Sequence, residues 1–175
     1  MKRSITVAAL AALLVVAALS VLLVTRQPLE ATPVASALLG KEAPSIAGAE
    51  LGGGHFSLAA HRGDIVVVNF WSSWCEPCKA EAPNLSSFAW TQRKHHVVLV
   101  GVVFNDSLAS ALAFARYYGS LYPSVVDPQG SIAFHYGVTS PPSTFIINAQ
   151  GRVAATLIGP VSQQQLDAAV ARVAA

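Results

Sequence analysis

Charge is scarce in this chain. Asp, Glu, Lys and Arg make up 11% of its 175 residues, against 53% apolar residues. Three of the 11 basic residues, Lys2, Arg3 and Arg26, flank a single apolar segment, leaving 8 to face 9 acidic residues in the body. A body this close to neutral offers no basic surface, which removes nucleic-acid binding from consideration. Cysteine is equally scarce, with two in the whole chain. None stands near residue 20, so a lipid-modified cysteine at the end of the apolar segment is excluded. Two cysteines are half of the roughly four ligands a structural zinc needs. The nearest histidine pair, His95-His96, reads as polar residues closing a helix rather than as the other half. No Pro-x-x-x-Thr/Ser-x-x-Cys stretch exists to build a peroxidatic cysteine, and no internal repeat is apparent. Nothing calls for a cofactor or a resident metal.

What is present begins with Ile5 to Val24, an uncharged run rich in Ala, Val and Leu. As a helix rising about 1.5 Å per residue it reaches across a bilayer core of about 30 Å. Lys2 and Arg3 precede it, so the positive-inside rule holds the N-terminus in the cytoplasm and sends the rest of the chain across. The rival is a cleaved signal peptide, whose apolar region usually runs about 7–15 residues. Ala35-Ser36-Ala37 resembles a cleavage site but lies well past the apolar run. The length favours an uncleaved anchor, with residues 1–26 as signal-anchor, 27–39 as a linker and 40–175 as one domain. Either reading places the cysteines outside the cytosol, where disulfides persist and thiols need a dedicated electron supply.

Along the domain, Leu51 to Gly54 reads as a turn and His55 to Leu58 as a short edge strand. Ile65 to Phe70 is an unbroken apolar run, the mark of a strand buried on both faces. Glu76 to Lys94 reads as a helix with a kink at Pro83. Val97 to Phe104 is a second buried strand. Ser107 to Tyr118 is helical, with Leu108, Ala111, Leu112 and Ala115 on one face and Gly119 as the stop. Tyr122 to Val126 is a third strand and Ile132 to Tyr136 a helical turn. Thr144 to Asn148 and Val153 to Leu157 form a hairpin across Ala149-Gln150-Gly151-Arg152. Ser162 to Val173 closes the chain as an amphipathic helix. Strands alternating with helices predict an α/β fold with a central mixed sheet flanked by helices.

The two cysteines stand in Trp74-Cys75-Glu76-Pro77-Cys78, between the buried strand and the helix. A strand leading into Cys-x-x-Cys at a helix start is the layout of a thiol-disulfide redox site. At the helix N-terminus, unpartnered N–H groups and the helix dipole favour a thiolate on Cys75. Cys75 is therefore the attacking sulfur and Cys78, one turn later, the resolving one. A purely structural bridge has little to recommend it, because so small a loop gains little chain entropy on closure. Glu76, between the sulfurs, adds a negative charge that opposes thiolate formation. Glu81 follows Cys78 by three residues on the same helical face, in position to relay a proton. Its bland alternative is a solvated helix residue.

Gly40-Lys41-Glu42-Ala43-Pro44, Val67 to Cys78, Tyr136-Gly137-Val138, Pro142-Ser143-Thr144-Phe145 and Gly151-Arg152 occur in an order and spacing that resembles one family. It is the membrane-anchored thioredoxin-like family of TlpA, ResA and CcmG (also called DsbE), and the resemblance covers roughly residues 40–175 with the anchor upstream. It implies a thioredoxin-like fold preceded by one transmembrane helix. It also implies a disulfide reductase on the periplasmic or extracytoplasmic face of the cytoplasmic membrane. The expected substrates are apocytochrome c haem-binding cysteines or other extracytoplasmic disulfide proteins, with electrons supplied by a transmembrane thiol transporter. Gly137 to Asn148 leans toward CcmG, and Cys-Glu-Pro-Cys toward ResA.

By the same resemblance, Cys75 and Cys78 are the redox-active disulfide and Glu81 a group that tunes proton affinity at the site. Asn69 replaces the buried aspartate of thioredoxins proper. Pro142 matches a cis-proline facing the cysteines, and substrate is expected to bind around Trp74, Pro141 and Pro142. Two departures stand out. Pro141, before that proline, has no N–H to offer a substrate strand, and Ser143 occupies a position that is often acidic in the family. The competing functions are a general periplasmic disulfide oxidase or isomerase, and a Sco-like copper chaperone using His135. The chaperone would call for Cys-x-x-x-Cys, one residue longer than the spacing here.

Overall fold

The computed structural model of the chain describes residues 2–24, 30–93, 95–120 and 122–174, with side chains on its first helix from Leu10 to Leu22. Arg26, residues 27–29 of the expected linker, Lys94 at the expected helix end, Ala175, and the side chains of Lys2 and Arg3 lie outside the described residues. Helix α1 spans Lys2–Val24. Among the described residues, which include the side chains of α1 only from Leu10 to Leu22, no helix is long and apolar enough to cross a membrane.

The domain contains strands β1 (Thr32–Pro33), β2 (Ala47–Ala49), β3 (His55–Ser57), β4 (Ile65–Trp71), β5 (Val97–Phe104), β6 (Ser124–Asp127), β7 (Ser143–Ile147) and β8 (Val153–Ile158). Its helices are α2 (Glu76–Gln92), α3 (Leu108–Tyr118), α4 (Ser131–Tyr136) and α5 (Gln163–Ala174). Six strands form one sheet in the order β1-β8-β7-β4-β5-β6. Strand β4 lies at its centre, parallel to β5 and antiparallel to β7. This is the mixed, helix-flanked sheet of the thioredoxin-like fold.

The period of two along β4 assigns its side chains to opposite layers. Val66, Val68 and Phe70 join Val100, Val102, Phe145 and the α4 residues Ile132 and Tyr136 on one face. Ile65 and Val67 meet Leu85 and Phe88 of α2 and Leu166 and Val170 of α5 on the other. Asn69 has the parity of Ile65 and Val67. A fully buried amide therefore faces the α2 layer, and this alternation seeds the functional site.

Several elements differ from the sequence expectation. The β2–β3 pair is a separate two-stranded ribbon rather than an edge of the main sheet. Strand β6 begins at Ser124, not Tyr122, because Pro123 has no N–H for the ladder; its carbonyl instead accepts from the N–H of Gly101 at 2.8 Å. Part of the stretch read as a linker is built into the sheet. Thr32 and Pro33 pair with Ile158 and Leu157, and the buried Ala31 donates its N–H to the Pro160 carbonyl at 2.8 Å. On α3 the buried residues are Ala111 and Phe114, while Leu108 is 54% exposed. Leu112 and Ala115 pack as expected against the same cluster as Ala111, and the Phe114 ring, stacked on Trp71 at 4.7 Å, adds a large aromatic contact beside that face. Helix α3 stops as expected at Gly119, whose φ of 61° allows its N–H to close on the last turn.

Gly101, in the middle of β5, has a packing role hidden inside a run of valines. A Cβ there would lie 2.5 Å from Trp71 Nε1 and closer still to Ser124 Oγ, two buried groups that hydrogen-bond to each other at 3.3 Å. Replacing Gly101 with Ala is expected to destabilise the domain by about 2 kcal/mol, the usual scale of overpacking. Chemical denaturation of the variant checks this; an unchanged midpoint would show that the Trp71–Ser124 contact yields freely.

Candidate redox site

Strand β4 ends at Trp71, the chain turns through Ser72 to Trp74, and α2 starts at Glu76. Cys75 is the N-cap of α2, with extended backbone (φ −81°, ψ 109°), and its Sγ accepts from the Cys78 N–H at 3.1 Å. Pro77 falls in the first turn of the helix, where a missing N–H is harmless. Cys75 and Cys78 form a disulfide, and both residues are buried, at 4% and 1% exposure, Cys75 being the slightly more exposed of the two. The free N–H groups of the first helical turn and the helix dipole converge on Cys75 and favour its thiolate when the bridge is reduced. Glu76 points to solvent and pairs with Lys79 at 2.8 Å, which offsets the charge it brings between the sulfurs.

Glu81 is not a solvated helix residue. It is 1% exposed and held from two sides. Its Oε1 accepts from Asn69 Nδ2 at 2.9 Å, and its Oε2 from the N–H of Val161, before α5, at 2.9 Å. Burial pushes its carboxyl up to about 7 from an ordinary value of 4.5; the bonds from Val161 and Asn69 oppose that rise but do not cancel it. Asn69 Nδ2 also donates to Thr144 Oγ1 on β7 at 3.1 Å. The Asn69–Glu81 pair therefore connects α2, β4, β7 and the approach to α5, with Glu81 three residues past Cys78 on the same helix.

The remaining expected site residues fall around this centre. Trp74 is 54% exposed beside Cys75, with its Nε1 donating to the Asn105 carbonyl at 3.0 Å. The Pro141–Pro142 peptide is cis and leads into β7. The Pro142 carbonyl accepts from the Gly159 N–H at 3.1 Å, and Pro141 is the more accessible of the two rings. Ser143 is buried, its hydroxyl donating to the Ser140 carbonyl at 3.1 Å. His95 and His96 precede β5, and Val97 pairs with Ile65 at the start of β4, so the histidines lie at the opposite end of the sheet from the cysteines. His135 is exposed on α4, its Nδ1 2.7 Å from the Ser131 carbonyl.

Sequence reasoning missed three parts of this arrangement. Thr144 and the Val161 N–H hold the Asn69–Glu81 pair, and residues 104–106 hold the loop before Cys75. Val161 contributes a backbone group and so leaves no mark in the sequence. Thr144 had a partial signal: a hydroxyl residue inside an apolar strand needs a buried partner.

The proton affinity of Glu81 has a thermodynamic consequence. Because folding raises it, its contribution to stability is complete below about pH 4.5 and is lost as pH rises through about 7. Relative to Glu81→Gln, the oxidised wild type is expected to lose about 3 kcal/mol of stability between pH 4 and pH 8. Urea unfolding of both proteins at each pH measures this. A gap that stays constant with pH would show that Glu81 titrates normally.

Comparison with known proteins agrees with the geometry. The family model described as AhpC/TSA family matches residues 39–156. A thiol:disulfide interchange protein, DsbE homolog, of Paracoccus denitrificans is 37% identical over 133 residues, covering 74% of this chain and 71% of that protein. The thiol-disulfide oxidoreductase ResA of Geobacillus thermodenitrificans is 30% identical over 154 residues, covering 88% of this chain and 87% of that protein. The crystal structure of a putative thiol:disulfide interchange protein DsbE from Chlorobium tepidum superposes with a TM-score of 0.71 at 25% identity, covering 77% of this chain and 96% of that one. With its cysteine pair at the head of α2 and these relatives, the chain belongs to the AhpC/TSA family as a thiol-disulfide oxidoreductase of the DsbE and ResA type.

Proposed function

We propose that the protein is a membrane-anchored reductase working on the extracytoplasmic side of the cytoplasmic membrane, and that its substrates are the disulfide-bonded haem-binding cysteines of apocytochrome c. The observation that carries the reading is the placement of Glu81. A buried carboxyl with a proton affinity near neutrality, three residues past Cys78 on the same helix, can take up and return the proton of the resolving thiol. The DsbE and ResA relatives support thiol-disulfide exchange as the chemistry.

In the reducing direction, the Cys75 thiolate attacks one sulfur of the substrate disulfide. A mixed disulfide forms and the other substrate sulfur leaves as a thiolate. Cys78 then gives its proton to Glu81 and attacks Cys75 Sγ. This breaks the mixed disulfide, releases the second substrate thiolate and closes the Cys75–Cys78 bridge. Two electrons pass from protein to substrate. A transmembrane thiol transporter restores the dithiol by the same exchange in reverse order. Pro141 limits how a substrate strand docks, since it can accept a hydrogen bond through its carbonyl but cannot donate one.

Anchoring is supported by the sequence of Ile5 to Val24 and by the helical backbone of Lys2–Val24. Leu10, Leu13, Leu14, Val16 and Leu19 are all exposed, and the one hydroxyl among the described side chains of this helix, Ser20, donates to the Val16 carbonyl at 2.8 Å. Such a surface suits lipid better than water.

Two experiments test these readings. A Cys78→Ala variant produced with its cytochromes is expected to accumulate mixed disulfides of apocytochrome c on Cys75, and the wild type to equilibrate with glutathione well below the roughly −120 mV of a strong oxidant. Trapping on Cys75→Ala instead, or a potential near that value, would overturn the reductase reading. The intact protein is expected to stay with membranes through a carbonate wash and to be released by deletion of residues 1–26. A membrane-isolated protein whose chain begins near Leu38 would rule out the anchor.

A further inference from the structure

Three consecutive residues of the redox loop are held by the turn that follows β5. The Ser72 hydroxyl donates to the Phe104 carbonyl. The Ser73 N–H donates to Asp106 Oδ2 at 2.6 Å, and Trp74 Nε1 to the Asn105 carbonyl at 3.0 Å. The turn is itself fixed. Asp106 Oδ1 accepts from the Ser107 N–H at 2.8 Å, and Ser107 Oγ caps α3 by accepting from the Ser110 N–H at 3.1 Å. Asn105 takes the left-handed backbone, φ 45°, a conformation that Asn tolerates better than most residues. Neither the redox pair nor the Glu81 network uses these residues.

We propose that residues 104–107 form a positioning clamp for the redox cysteines, and that Asp106 is the positioning residue within it that sets how readily Cys75 reacts. The inference rests on the redox pair and not on the identity of the substrate. Asp106 acts in two ways. Its bond to the Ser73 N–H fixes the loop two residues before Cys75, and so fixes where the N-cap sulfur lies over the helix. Its negative charge lies on the N-terminal side of α2 and opposes the helix dipole that favours the Cys75 thiolate. No basic residue contacts Asp106 among the described residues' ion pairs. The other charged and titratable groups around the loop are the Glu76–Lys79 pair, Tyr118 of α3, which faces Lys79, and Glu81 deeper along α2; the β7 side presents Pro142 and Ser143, which carry no charge. The clamp also holds the half-exposed Trp74 indole as a rigid platform beside Cys75 for an incoming chain.

The test uses reduced full-length protein carrying Asp106→Asn or Asp106→Ala. The readout is the rate of Cys75 alkylation by iodoacetamide across pH, with the modified residue located by mass spectrometry. Asp106→Asn keeps one oxygen for the Ser73 N–H, gives up the bond from the Ser107 N–H and removes the charge. It is expected to shift the midpoint of the pH–rate profile to lower pH and to raise the rate at pH 6 by roughly three- to tenfold. Asp106→Ala is expected to show the same shift together with a roughly tenfold slower reaction with a protein disulfide, because the loop loses its tether. If Asp106→Asn reproduces the wild-type profile, or moves its midpoint to higher pH, the proposal is overturned whatever happens to stability. Since alkylation at Cys75, located by mass spectrometry, involves no protein substrate, a wrong assignment of the natural substrate would leave this result untouched.

Discussion

The site depends on a carboxyl group placed where solvation cannot help it. Glu81 is buried, and its ionised form is stabilised by two donors, the Asn69 amide and the Val161 N–H. Those two bonds offset part of the desolvation that an isolated carboxylate would suffer, which is of the order of several kcal/mol. The remainder appears as proton affinity, raised to about 7. An apolar residue in this position would pack without that penalty, but it could neither take nor return a proton. The same two bonds join α2 to β4 and to the approach to α5, and Asn69 carries the connection on to Thr144 in β7, two residues past Pro142. Proton affinity and architecture thus come from one set of contacts. A change that loosens the network to relieve the carboxyl also loosens the docking of the helix that carries both cysteines.

The network contains one unanswered group. Among the described residues the buried Asn69 Oδ1 meets no hydrogen-bond donor, while both acceptors facing its Nδ2 are satisfied. A buried carbonyl oxygen left without a donor destabilises by roughly 1–3 kcal/mol. When Glu81 binds a proton, the core gains an O–H donor, and a rotated Asn69 amide would present this oxygen to it. The unpaired oxygen is therefore consistent with a site that must accommodate two protonation states and satisfies the ionised one more fully.

How much of this was readable from the chain alone follows the range of the interactions involved. The Cys-x-x-Cys pair is local: a strand, a turn and a helix start, each announced by its own residues. The apolar run of β4 and the Gly119 stop were legible for the same reason. The burial of Phe114 on α3 was not, because its stacking on Trp71 joins residues on separate elements; the stripe of Ala111, Leu112 and Ala115 packs inward as expected, and only Leu108 at its start is exposed. Pro123 set the start of β6 through a missing donor, which periodicity does not register. Gly101 looked like one more residue in a valine strand, yet it makes room for the Trp71 indole. Glu81 was noticed for its spacing from Cys78, but its partners come from positions 69 and 161, and no local pattern links them.

The same division governs how the two sides of the redox pair meet a substrate. On the β7 side, Pro141 offers a carbonyl oxygen and ring surface but no N–H, and the Pro142 carbonyl is already used by the Gly159 N–H, so backbone pairing with an extended chain loses a donor. On the β5 side, Trp74 presents a half-exposed ring whose indole N–H is already used by Asn105. Trp74 therefore contributes a fixed apolar face and no further polar bond. An extended segment docking here would gain more from apolar and ring contacts beside its cysteine than from strand hydrogen bonds. Because Trp74 is held before binding, little side-chain freedom remains for it to lose on contact. A reductase must also release its product once the second thiolate forms. A docking surface with few directional bonds and a preset aromatic platform allows approach without holding the reduced chain tightly.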